Sequence, residues 1–308
     1  MAIFFHILLT NVLPMSVMVA IGIVLQRVFS LDIKTLSKLN FYLFSPAIIF
    51  DLLYSTAISA QLIGQVLFFF LLFMAAQYLC VELVIRLKGY KQGMKGAMRN
   101  SVLFYNSANY GIPLNQLAFG GNPYTLGIQV IIMMMQSLIP NTYGVYTVNA
   151  HKADTRRILR TIASMPILYV IPLAFALRGF HVPIPQFLYT PIDYLSSAFI
   201  GMALTTLGAQ LGNMEWRLDR KLAGDVGISS ALRLVVGPLL AALIVWLMGL
   251  DRMMAAALIV SSAVPTSLSS ALLAVEFDNE EQFASQSVFV STILSIVTVT
   301  VVIYLLQM

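Results

Sequence analysis

The sequence predicts an all-α polytopic membrane protein. Ten transmembrane helices are expected, as two inverted five-helix repeats with broken crossover helices 4 and 9. Composition, a one-sided distribution of basic residues, and an internal repeat carrying two mid-span prolines lead to this reading. Hydrophobic residues make up 59% of the 308, and charged residues only 10%. A soluble chain of this length needs far more polar surface to cover one core. Here the apolar residues fall into stretches near the roughly 20 that cross a bilayer as a helix.

The spans are placed at 6–29, 33–54, 61–86, 96–119, 124–149, 158–179, 191–213, 222–248, 253–276 and 281–306. The first charged residue is Arg27, so the amino-terminal stretch lacks the basic region of a signal peptide and is read as span one. The connectors are short, which predicts antiparallel neighbours.

Basic residues then gather on one side. Arg27, Lys34 and Lys38 lie in connector 1–2, and Arg86, Lys88, Lys91, Lys95 and Arg99 in connector 3–4. Lys152, Arg156, Arg157 and Arg160 lie in connector 5–6, and Arg217, Arg220 and Lys221 in connector 7–8. Only Arg178 and Arg252 fall opposite, with Arg233 inside a span. Positive charge marks the cytoplasmic face, so both termini are expected to be extracytoplasmic, in a plasma membrane of the bacterial inner-membrane type. Connector 9–10, with Glu276, Asp278, Glu280 and Glu281, is acidic where that rule prefers basic, but acidic residues count little in it. Cations so placed account for the net charge of +5 without a nucleic-acid partner; the expected surroundings are membrane lipid.

The two halves match at one offset. Pro14 and Pro166, Tyr42 and Tyr194, and Pro113 and Pro265 each lie 152 residues apart. Residues 1–150 form the first repeat and 151–308 the second. Five spans per half put the second half upside down relative to the first, the plan of many secondary transporters.

Spans four and nine carry the chemistry. The fourth reads Phe104-Tyr-Asn-Ser-Ala-Asn-Tyr-Gly-Ile-Pro113, and the ninth holds Ser261, Ser262, Pro265, Thr266 and Ser267. A proline in mid-span has no N–H and clashes with the carbonyl four residues back, here Asn109 or Ser261. Gly111 weakens the helix further. In hydrocarbon an unpaired backbone group costs several kcal/mol, so a break survives only when buried in protein or lining a wet cavity. Each break is expected to start a new half-helix with proline in its first turn. Two positive half-helix ends would attract an anion, and the freed carbonyls would suit a cation. Kinked helices in plain packing carry the same prolines; two at matching repeat positions, each amid polar residues, favour the site.

Arg233 is expected to face protein or water, where it balances substrate charge or Glu82, or to snorkel to the interface. Glu82 and Arg86, four apart, suit a helix pair. Asp51 and Asp193 are read as interfacial, and Met133 to Met135 as adaptable apolar packing. Cys80 is alone, and His6, His151 and His181 match no metal spacing, so no metal or cofactor is expected. No nucleophile, paired acid or metal constellation points to an enzyme.

In these residues the sequence resembles the auxin efflux carrier family, the plant PIN carriers and bacterial organic-acid carriers, over nearly its whole length. Leu39-Asn-Phe-Tyr-Leu-Phe-Ser-Pro46-Ala in span two is similar to a family segment. So are Asn106 through Gly111-Ile-Pro113-Leu in span four and Gln129 with Gln136 in span five. Arg233-Leu-Val-Val-Gly-Pro238 in span eight and Ala263-Val-Pro265 in span nine complete the match. The resemblance implies a scaffold and homodimer surface from spans 1, 2, 6 and 7. It implies a moving transport domain from spans 3–5 and 8–10. It puts Asn106, Pro113, Gln136 and Pro265 on substrate-region positions. Thr266-Ser267 replaces the Gln-Gly of plant carriers, and connector 5–6 is short, which argues against auxin itself.

The function expected is secondary transport of a small organic acid anion by an elevator motion. The candidate substrate-binding set is Asn106, Asn109, Gly111, Pro113, Gln136, Ser262, Pro265, Thr266 and Ser267, with Arg233 balancing charge. No Asp or Glu is evident in the core, so uniport and coupling to H+ or Na+ both stay open. An anion channel and a membrane-embedded sensor are the rival readings.

Overall fold

A computed structural model describes residues 2–56, 58–144, 147, 160, 163–214 and 220–306. These are helical almost throughout, and seven helices are long and apolar enough to cross a membrane. They are α1 (Ile3–Phe29), α2 (Ile33–Ser55), α3 (Ala60–Lys88), α6 (Pro123–Gly144), α8 (Gln186–Asn213), α9 (Ala223–Met248) and α12 (Glu281–Leu306). Between them lie two interrupted pairs and one shorter apolar helix. The first pair is α4 (Gln92–Leu103) with α5 (Gly111–Ala118). The short helix is α7 (Ile167–Gly179), and the second pair is α10 (Arg252–Ser262) with α11 (Leu268–Glu276). Parts of the expected spans five and six, and Lys152, Arg156, Arg157, Arg217 and His151, lie outside the described residues.

Local chemistry sets the helix ends. Asp32, Ser59, Asn122 and Asp251 each accept a bond from a backbone N–H two or three residues on, as N-caps do. Gly89 (φ +65) and Gly249 (φ +61) close α3 and α9 in the left-handed conformation that costs glycine least.

Three helices widen just before a proline. The turns Leu8–Val12, Asn40–Phe44 and Leu232–Val236 precede Pro14, Pro46 and Pro238. Each closes with a bond five residues long: Leu13 N–H to the Leu8 carbonyl, Ser45 to Asn40, and Gly237 to Leu232. A proline supplies no N–H and crowds the preceding turn, so the helix absorbs it as one wide turn rather than a break. Two of these turns hold Asn40 and Arg233, which matter below.

The helix α1 packs on α8 with backbones in contact. A Cβ on Gly22 would fall 2.3 Å from the Thr205 carbonyl oxygen, and one on Gly208 would fall 2.1 Å from that of Val19. Helices α2 and α7 join this pair through polar ties. The Asp51 carboxylate accepts from Tyr189 (2.6 Å) and Ser196 (2.9 Å) of α8, and Arg178 at the end of α7 donates to the Tyr54 carbonyl (3.3 Å). Asp51 is thus a tie between helices. The other helices enclose the two interruptions, around Phe69, Phe70, Phe73, Tyr105, Leu258 and Val264. Outward faces stay apolar: Leu71, Leu79, Leu83, Leu87, Leu239, Trp246 and Leu247 are exposed. Such surface suits lipid, not water. The protein is a multi-pass membrane protein.

The interruptions differ from expectation in one respect. Pro113 does sit in the first turn of α5, but the fourth segment leaves helix earlier, after Leu103. Pro265 lies within the link itself, before the N-cap Ser267 of α11, and not in a first turn. The link ends where Ser267 can cap.

Candidate functional site

The two links pair with each other. Phe104 leaves α4 in an extended conformation (φ −95, ψ 115), and Tyr105 and Thr266 form an antiparallel bridge. Asn106 N–H donates to the Pro265 carbonyl (2.9 Å), and Ser267 N–H donates to the Phe104 carbonyl (2.8 Å). Each link therefore satisfies backbone groups that the other has freed.

Side chains from neighbouring helices fill in the rest. Gln136 of α6 acts as a substitute peptide: its Oε1 accepts from Tyr105 N–H (3.3 Å), and its Nε2 donates to the Leu103 carbonyl (3.2 Å). Two helical turns earlier on the same helix, Gln129 donates to the Ser107 carbonyl (2.8 Å). Gly111 makes room for it, since a Cβ there would meet the Gln129 amide nitrogen at 2.4 Å. The Asn106 side chain accepts from Asn109 N–H (3.1 Å), and Gly111 N–H donates to the Asn106 carbonyl (2.9 Å). On the second link, Thr266 N–H donates to the Ser291 hydroxyl (3.1 Å), and the Thr266 hydroxyl donates to the Ser101 carbonyl (2.8 Å).

Above this floor lies a cavity of about 290 Å³. Of the expected residues, Asn106, Asn109, Gln136 and Ser267 line it. Ser262, Pro265 and Thr266 are buried beneath it and hold the crossing, while Gly111 and Pro113 shape the start of α5. The Ser262 hydroxyl is spent on its own helix, donating to the Ile259 carbonyl (2.6 Å).

The opposite wall was not foreseen. Ser37, Asn40 and Ser45 of α2 and Gln210 of α8 line it. Asn40 donates to the Asn109 side chain (3.1 Å), and Gln210 donates to the Ser37 hydroxyl (3.1 Å). The Asn40 Oδ1 and Gln210 Oε1 atoms are buried without a protein partner among the described residues. The available signal was an amide in an otherwise apolar span. No charged side chain lines the cavity among the described residues.

Arg233 lies under the floor, fully buried, and does not snorkel. Its guanidinium donates to the Val102 carbonyl (3.1 Å) and to the Ser262 carbonyl. It sits 4.5 Å from the Tyr105 ring centre and 5.6 Å from that of Phe73. Glu82 is not its partner: that carboxylate pairs with Arg99 at 2.6 Å and with Arg86 at 3.8 Å.

Comparison with known proteins points the same way. A family model described as "Membrane transport protein" matches residues 155–303. An uncharacterized transporter of Methanothermobacter thermautotrophicus is 25% identical over 94% of this chain and 95% of its own. Another, of Methanocaldococcus jannaschii, is 23% identical over 86% of this chain and 87% of its own. The second half of the chain is thus similar to the membrane transport protein family, and nearly its whole length is similar to these two transporters. This agrees with the resemblance to auxin efflux carriers.

A second, wider cavity of about 880 Å³ adjoins the first and shares Gln210, Leu268 and Leu272 with it. Ile33, Asn213, Arg220 and Glu281 line it, at the start of α2, the end of α8, the approach to α9 and the start of α12. That end of the bundle carries the basic connectors. The crossing is thus reached from one end through a vestibule holding both signs of charge.

Proposed function

We propose that this transporter carries a small organic anion, a mono- or dicarboxylate, by an elevator motion in the plasma membrane. The observation that carries the reading is the hydrogen-bonded crossing of two interrupted segments on the floor of a neutral polar cavity. The first turn of α11 (Ser267 to Ser269) and the turn leading into α5 (Asn106 to Asn109) line that cavity. Their positive ends, with the side-chain amides and hydroxyls they carry, offer an anion a site without a cationic side chain. Asn106, Asn109 and Ser267 supply polar atoms from the floor; Asn40 and Gln210 supply them from the wall.

In this reading ten segments span the membrane, counting the two interrupted pairs and α7. Residues 1–150 and 151–308 are inverted repeats. The glycine-tight pair α1 and α8, with α2 and α7, forms the scaffold and homodimer surface, and the remaining helices move. The vestibule opens to the cytoplasm, and both termini lie outside it.

A panel of radiolabelled organic acids in proteoliposomes, with and without ion gradients, tests this. Saturable uptake of a carboxylate is expected. Unitary currents in single-channel recording would instead mark a channel. In the purified protein, Asn106→Ala is expected to abolish stabilisation against heat by the carried acid; unchanged stabilisation would remove Asn106 from the site.

A further inference from the structure

Arg233 is the only ionised side chain that is fully buried among the described residues. It lies about 15 Å along α9 from Ala223, at 1.5 Å per residue, well inside the span. A guanidinium stays protonated in proteins. Its hydrogen-bond partners are carbonyls at the ends of α4 and α10, Val102 and Ser262, together with the Gln77 amide oxygen (3.4 Å). These are the negative ends of two half-helices. No carboxylate pairs with it among the described residues, whose ion pairs centre on Glu82.

The sequence provides for this placement. Arg233 opens out from a wide turn, and Gly237 lies one turn further on. A Cβ on Gly237 would fall 2.8 Å from the Gln77 amide nitrogen and 3.1 Å from an Arg233 terminal nitrogen. The missing side chain is the guanidinium's space. Above it lies the ring of Tyr105, which also lines the cavity. The cavity floor thus carries a fixed positive charge one ring below any ligand.

We infer that Arg233 is a resident charge that moves with the crossing, so that the empty carrier crosses as a cation and the carrier holding a monocarboxylate crosses as a neutral body. This rests on the elevator reading above. Each anion exported still moves one charge, but that charge crosses during the empty return. A negative-inside potential draws the empty floor to the cytoplasmic side and leaves the loaded step unaffected. Moved through the full field, one charge shifts the empty equilibrium up to about 50-fold per 100 mV. The guanidinium also takes the carbonyls that an inorganic coupling cation would use at the crossing.

The test is charge movement after voltage steps in a planar bilayer holding the wild-type protein, first without organic acid and then with saturating lactate on both sides. A transient of up to one elementary charge per protomer is expected without lactate, and lactate should suppress it. Lactate exchange should be flat with voltage while net efflux steepens. Arg233→Lys should keep the lactate-free transient. Arg233→Gln, if its melting curve shows a folded protein, should lose it and gain a transient with lactate present. If that variant does not fold, the wild-type recordings decide: no lactate-free transient, or one that needs lactate, overturns the assignment. If lactate is not carried, the lactate-free arm still decides. Failure of the elevator reading looks different, as steady unitary currents or no flux of any acid.

Discussion

The α1–α8 contact and the crossing of the two links are both places where chain segments meet at close range, but they are held by opposite means. At Gly22 and Gly208 the backbones touch because neither residue has a side chain, and polar side chains join at the end of the pair, where Gln26 donates to Asn213 (3.4 Å) and Arg27 to the Met214 carbonyl (3.3 Å). At the crossing, backbone bonds between the links are supplemented by Gln136, Gln129, Ser291 and Arg233. The first arrangement is van der Waals packing that depends on volume, as in membrane helix pairs built on small residues. The second is a polar network in which each member satisfies a buried group. A contact of the first kind suits a fixed frame. The second kind suits a ligand floor whose shape has to persist while its surroundings change.

Substitutions can separate the two. The largest effect is expected for Gly208→Ala. Its Cβ would lie 2.1 Å from a backbone oxygen, so the helices must part, at a cost of about 3 kcal/mol or more. A thermal melt in detergent reads this, and a wild-type melting temperature would show that the contact is slack. Next comes Gln136→Leu, which keeps volume but leaves the Leu103 carbonyl and Tyr105 N–H without their partner. A loss of about 2 kcal/mol is expected, together with lost transport. Smallest is Asn40→Ala, which removes one wall-to-floor bond of 3.1 Å. Stability should change by less than about 1 kcal/mol, whereas the half-saturating concentration of the carried acid should rise several-fold.

Much of this was legible in the sequence. Long apolar runs gave segments whose ends lie within a few residues of the seven long helices, because bilayer thickness leaves a strong mark on composition, whereas span six, placed at 158–179, corresponds to the shorter helix Ile167–Gly179. The two interruptions were legible as well, since each of these mid-span prolines stands amid polar residues. Their form was not. Proline chemistry placed both breaks next to the prolines, but the extended links follow from bonds between residues more than a hundred positions apart, such as Asn106 with Pro265. Pro265 therefore became part of the link and Pro113 a first-turn residue. Asn40 and Gln210 were missed because each is a single amide in an apolar span, without local pattern. Arg233 was noticed for its charge, but its partners are backbone carbonyls, which no sequence displays.

The mutual bonds of Phe104, Asn106, Pro265 and Ser267 have a further consequence. Because each strand of the floor is tied to the other, neither can tilt alone, and the pair behaves as a single tray. Cargo resting on it meets the same Asn106 and Ser267 wherever the tray travels, while Asn40 and Gln210 belong to the frame it slides past. Any difference in grip between the two sides of the membrane then comes from the frame.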